Sequence, residues 1–266
     1  VQRLEGLSFR EYLAIQHEVQ FTPLALEQIL TNHELEAPRI VEELLKSKLH
    51  VLAEFRDYLA QGFYPFFLQF RDQKSFLIAL EQSIHAVIES DLPAIHPAMT
   101  GNSIARIKRL LSALAANVPY TPDFIKLRGL LGIADDRTLK DYLQCLQEAG
   151  LVMAISKPGK ALKSMEKPNR MYLGDSNIAH ALAASGEPDM GSLRETFFCR
   201  MVSAKYSVAS GGRADFLVDG QMTIEVGGKN KGQEQIVGKE KAYLALDELP
   251  IGSGVRVPLW LFGFLY

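Results

Sequence analysis

The chain has 266 residues, 47% hydrophobic and 23% charged, with a formal net charge of −2. That is enough apolar material for more than one core and for one to three domains. The near-neutral balance excludes a protein that coats nucleic acid over its whole surface, so any such contact must be local.

No apolar run reaches the ~20 residues that span a bilayer, and the opening "VQRLEGLSFR" has no signal-peptide core. Two distant cysteines, Cys145 and Cys199, are expected as buried thiols of a cytoplasmic protein, with no membrane partner. The six histidines are scattered without zinc-ligand spacing, so no structural zinc is expected. The start without Met reads as the edge of a longer chain.

Residues 1–98 read as helical. Leu44, Leu45, Leu49, Leu52, Phe55 and Leu59 recur at helical spacing, Gly62 closes that helix, and a further helix is expected from about Gln73 to Ser90. Residues 99–175 change rhythm. Ser103 is placed as the cap of a first helix, Pro122 opens a short second one, and Asp135 or Asp136 caps a third that ends at Gly150. Two strands, "LVMAI" and "RMYLG", then flank a basic tip. Three helices and a hairpin are the plan of a winged helix-turn-helix domain.

In such a domain the third helix enters a major groove, but its exposed face here mixes Arg137 and Lys140 with Asp141 and Glu148. The tip is better suited. Lys157, Lys160, Lys163, Lys167 and Arg170 stand against only Glu166 and could track DNA phosphates in a salt-dependent way. The alternative is a solvated turn on a protein-binding adaptor.

Residues 176–266 read as an α/β core: a helix over 191–204, a hairpin, a short helical segment from Gln233 to Lys239, a strand "AYLAL" and an aromatic tail. The hairpin "GGRADFLVDGQMTIEVGGKNK" (211–231) holds Asp215 on its first strand and Glu225 on its second. Two such carboxylates can hold Mg²⁺ or Mn²⁺, which acidifies a water and offsets charge during phosphodiester cleavage. Glu195 on the preceding helix is a candidate third acid.

The position beside Glu225 on the same strand face is Gly227, where this chemistry wants a lysine. Lys229 has the right parity, and a bend at the glycine pair could return Lys229 or Lys231 to the acids. The site set is therefore Asp215, Glu225, Lys229 and Glu195, and the missing lysine favours a degenerate, binding-only core over an active nuclease.

Several segments resemble a family of prokaryotic AAA-type ATPases that carry a DUF4143 domain. "LEGLSFREYL" (4–13) is similar to the segment closing their ATPase core, "YLAQGFYPFF" (58–67) to their helical region, and "TLKDYLQCLQEAGLV" (138–152) to their winged helix. "RMYLGDSNIAHAL" (170–182), "GSLRETFF" (191–198) and the "RADFLV…IEV" hairpin follow in the family's order. The resemblance implies a C-terminal region made of a helical lid, a winged helix and a restriction-endonuclease-like core. It also implies an N-terminal AAA ATPase domain as partner, with ATP bound only there. No GxxxxGKS/T occurs, so no nucleotide hydrolysis is expected from this chain.

Overall fold

Side-chain caps start most helices in the computed structural model, which describes residues 5–159, 168–183 and 187–266. Helix α1 (Phe9–His17) begins at Ser8, whose hydroxyl accepts from the Glu11 N–H while Glu11 accepts from the Ser8 N–H. Helix α2 (Leu26–Lys46) buries Ile29, Ala37, Ile40 and Leu44 along one face, and α3 (Val51–Asp57) follows. The leucine run from Leu44 to Leu59 is thus two helices, not the one its spacing suggests. Lys48, with φ +60°, turns the chain between them.

Helix α3 widens into a π-helical turn at Tyr58–Gly62, and α4 (Gln73–Ala86) into another at Val87–Asp91 that leads to α5 (Leu92–Ile95). Thr100 caps α6 (Gly101–Ala115), so the expected cap, Ser103, lies inside the first turn and supplies the bonded N–H. Asp123 caps α7 (Phe124–Leu131) and Asp135 caps α8 (Asp136–Glu148). Each carboxylate satisfies an N–H that the helix leaves without a partner.

Strands β1 (Val152–Ile155) and β2 (Arg170–Leu173) pair antiparallel, with Val152 opposite Leu173. Helices α9 (Ser176–Ala181) and α10 (Met190–Ser203) follow, capped by Asp175 and Asp189. A five-stranded sheet closes the chain, in order β3 (Val208–Ser210), β4 (Phe216–Val218), β5 (Met222–Gly228), β6 (Ala242–Asp247) and β7 (Arg256–Pro258). Its first three strands are antiparallel, and β5, β6 and β7 are parallel. The chain is therefore mixed α/β with two sheets. Residues 233–239 make tight turns rather than the expected helix, because Gly238 takes φ +75° within the segment.

Alternation along β6 gives the larger sheet two apolar faces: Ala245 joins the main core, while Leu244 and Leu246 pack with Ile236. On the main side Phe198 of α10 lies 4.9 Å from both Phe216 and Phe262. Phe262 belongs to the buried 3₁₀ tail Leu259–Phe264. Phe9 of α1 packs on Phe55, Tyr58 and Phe264. One continuous cluster therefore runs from the first helix to the aromatic tail.

His33 of α2 is 2% exposed, and neither ring nitrogen has a hydrogen-bond partner. Burial lowers its pKa, against a smaller opposing pull from the Leu30 and Ile29 carbonyls and Glu34. The folded chain then resists protonation that the unfolded chain accepts, so stability falls as pH drops through the ordinary histidine value of about 6.5. His33→Leu should shrink the loss of thermal midpoint between pH 7 and pH 5, as followed by circular dichroism. An unchanged pH slope would assign that loss to other groups.

Candidate carboxylate site

The turn joining β4 to β5 passes through Asp219 and Gly220, at φ +49° and +68°, the conformation an Asp-Gly hairpin favours. It sets Phe216 opposite Ile224, which brings Asp215 opposite Glu225. Residues directly opposite in an antiparallel pair share a face. The two acids are cross-linked through the backbone: the Asp215 N–H donates to Glu225 Oε2 at 3.1 Å, and the Val226 N–H donates to Asp215 Oδ2 at 3.0 Å. Ile224 and Val226 enter the main core, so Glu225 points to the other side of β5.

The gap at Gly227 is filled from outside the strand. The Lys231 N–H donates to the Gly228 carbonyl at 2.9 Å, a turn that folds the chain back on itself. The stem of Lys231 then covers Gly227: a Cβ added there would lie 2.8–2.9 Å from Lys231 Cβ, Cγ and Cδ. The ammonium ends 2.6 Å from Glu225 Oε1. Arg256 on β7 holds this turn by donating to the carbonyls of Lys229 and Lys231. Lys229, the lysine chosen from strand parity, sits elsewhere, 3.6 Å from Glu248 and well exposed. Parity failed because β5 ends at Gly228.

Arg170 and Glu195 complete the cluster. Arg170 Nη1 is 3.0 Å from Asp215 Oδ1 and 3.5 Å from Glu195 Oε2, and the Tyr172 hydroxyl donates to Glu195 Oε2 at 2.9 Å. Residues 170 and 172 share one face of β2, which is why both reach the same acid. Burial, together with the charge of Asp215, pushes Glu195 up to about 7. Glu225 is also raised by burial, with Lys231 opposing. Burial, the largest single influence, pulls Lys231 down, but its hydrogen bond to Glu225 and the charges of Glu225, Asp215 and Glu195 together outweigh that and hold it above the ordinary lysine value. A lysine so held is an ammonium at neutral pH, a fixed charge rather than a base.

Of the basic residues assigned to the hairpin tip, Lys160, Lys163 and Lys167 lie outside the described residues, and Lys157 is exposed. Arg170 is not a free phosphate contact but is turned inward onto two acids, its side chain 23% exposed. A groove of about 430 Å³ is lined by Lys157, Pro158, Asn169, Ser210, Gly211, Gly212 and Leu217. Among the described residues no set of three or more His, Cys, Asp or Glu side chains is arranged to hold a metal ion. Among them, too, no helix is long and apolar enough to cross a membrane.

These features define a mixed α/β chain with a paired-carboxylate and lysine cluster on one hairpin. Residues 52–189, more than half the chain, match the model of a domain of unknown function (DUF8612), and the chain belongs to that family. This corrects the resemblance to ATPases with a DUF4143 domain: the matching family is a different one, and nothing ties the chain to an AAA-type ATPase. The ATPase-domain partner and the bound ATP rested on that resemblance and lose their support with it. No curated protein and no solved structure matches the chain. Arg170 and Tyr172 fall inside the matched span, whereas Glu195, Asp215, Glu225 and Lys231 follow it.

Proposed function

We propose that the chain acts on nucleic acid through a metal-dependent phosphodiesterase centre at Asp215, Glu225 and Lys231, on a restriction-endonuclease-like α/β layer beside a winged helix. The observation that carries this reading is the 2.6 Å contact between Lys231 and Glu225, which returns to the acid pair the charge that Gly227 lacks. The order of helix α10, Asp215, Glu225 and lysine supports it, as it is the order of groups such nucleases use. The order α6, α7, α8, β1, β2 likewise supports the winged helix.

Asp215 and Glu225 suit Mg²⁺ or Mn²⁺ in kind. Their oxygens are hard donors, and Mg²⁺ commonly binds through one or two carboxylates, keeping its remaining positions for water and substrate phosphate. When bound, the cation would acidify a water and offset charge on the phosphorus centre. Lys231 would hold a second positive charge beside the same phosphate, and the backbone bonds to Asp215 and Glu225 fix both acids before substrate arrives.

The test is cleavage of plasmid and single-stranded DNA with Mg²⁺ or Mn²⁺, beside Asp215→Ala. Metal-dependent cutting by the parent chain and none by the variant is expected. Cutting that is equal in both overturns the reading. A second reading, binding without cleavage, is favoured by the cation already seated on each acid, Arg170 on Asp215 and Lys231 on Glu225. Salt-dependent DNA binding with no cutting would select it.

A further inference from the structure

We propose that the cavity enclosed by α4, α6, β2, α9 and α10 binds a small amphipathic amine: an apolar body with an ammonium at one end and a hydroxyl at the other. None of Arg170, Glu195, Asp215, Glu225 and Lys231 lines this cavity, so it is a second site, independent of how the carboxylate cluster is read.

The cavity holds about 790 Å³, within the ~300–1,000 Å³ usual for small-molecule sites. Small side chains give it room: Ala115, Ala116, Ala179, Ala181 and Ala183 all line it, with Leu173 and Leu182. Except for Ser192 and Thr196, its lining falls within residues 52–189, the span that places the chain in its family.

Thr196 is the group that calls for a ligand. It is 1% exposed, lines the cavity, and its hydroxyl has no hydrogen-bond partner. A hydroxyl inside a helix can bond the carbonyl one turn back. Thr31, Ser83 and Ser112 do so, onto the carbonyls of Glu27, Ala79 and Lys108. Thr196, midway along α10, does not. A buried hydroxyl without a partner is costly, and a ligand hydroxyl in the cavity would supply one.

The charge of the lining selects the other end of the ligand. Glu81, Glu187 and Asp189 line the cavity, and among the described residues no Lys or Arg does. The whole chain has 29 basic residues against 31 acidic, so this excess of acid is local. The one basic group in the lining is His85, whose Nε2 already faces Glu81 at 3.9 Å. The Ser192 N–H and hydroxyl both donate to Asp189 and hold it below the ordinary carboxylate range, so it stays charged. Asp189, Ser192 and Thr196 stand at i, i+3 and i+7 on one face of α10. That face carries the lining from acid to hydroxyl over about 10 Å. An ammonium at the acids, an apolar body along the alanines and a hydroxyl on Thr196 follow the same order.

The experiment is a ligand-observed NMR titration of the full chain with three probes. Tyramine has all three parts, phenethylamine lacks the hydroxyl, and 4-ethylphenol lacks the ammonium. The parent chain should bind tyramine in about the millimolar range, as expected of so small a ligand. It should bind tyramine about fivefold more tightly than phenethylamine and about tenfold more tightly than 4-ethylphenol. Thr196→Val should bind tyramine and phenethylamine equally. Glu81→Gln with Glu187→Gln, both at exposed positions, should erase the advantage over 4-ethylphenol.

No saturable binding of tyramine to the parent overturns the site. Tyramine no tighter than phenethylamine also overturns it, and assigns the Thr196 hydroxyl to a bound water. An ammonium preference that survives the double glutamine variant places the amine elsewhere on the chain. Should Thr196→Val fail to fold by circular dichroism, Thr196→Ala replaces it, and the three probes on the parent decide without either.

Discussion

Replacing Lys231 by alanine should reduce metal-dependent cleavage about 100-fold or more, the usual cost of removing one positioned charge from a transition state. The same change leaves Glu225, 3% exposed, without its cation. Unfolding free energy should therefore fall by about 2 kcal/mol, less than for a fully buried pair because Lys231 is one-third exposed.

Gly227→Lys in the Lys231→Ala background is the informative partner. With the Lys231 stem gone, the space over Gly227 is free, and a lysine at 227 stands on the Glu225 side of β5. Cleavage should return to within about tenfold of the parent, the remaining gap reflecting a charge set from a new backbone position. Gly227→Lys alone gains nothing, since its stem meets Lys231 Cβ, Cγ and Cδ. A double variant no better than Lys231→Ala would show that the site does not use an ammonium there.

The second large effect is structural. Asn177→Leu should lower stability by about 4 kcal/mol, the sum of three buried backbone groups each losing a partner at about 1–2 kcal/mol. Asn177 is fully buried; its Nδ2 donates to the Tyr58 and Leu59 carbonyls at 3.2 and 2.9 Å, and its Oδ1 accepts from the Phe63 N–H at 2.9 Å. The π-helical turn at Tyr58–Gly62 is the segment those bonds serve. Leucine has the same size and can make none of them. For a chain of this length the thermal midpoint should drop about 10 °C. Asn177→Asp keeps the acceptor and loses both donors, so its loss should be similar or greater through a buried charge. A midpoint shift below about 2 °C for Asn177→Leu would mean water satisfies the turn.

Local chemistry made much of the fold legible. Leu139, Leu143 and Leu146 mark the buried face of α8, and Asp135, one of the two caps considered, is the one that bonds its first turn. Helix ends were read less well. Thr100 and Ser103 are both capping residues by type, and only the backbone shows which is outside the helix. The break at Lys48 is invisible to periodicity because a left-handed lysine carries no sequence mark. Glycine at 227 read as a vacancy, whereas it is the room that the Lys231 stem requires.

By itself the sequence determined that Asp215 and Glu225 lie on the two adjacent strands of one hairpin. The left-handed Asp219–Gly220 turn then sets the register that puts them opposite each other. Only the tertiary structure decided which lysine joins them, that Arg170 turns inward rather than outward, and that Asn177 holds a distant turn. Arg170 and Asp215 are 45 residues apart, and Asn177 and Phe63 are 114 apart. Pairing at that range depends on how packed layers bring side chains together, and no local spacing carries that information.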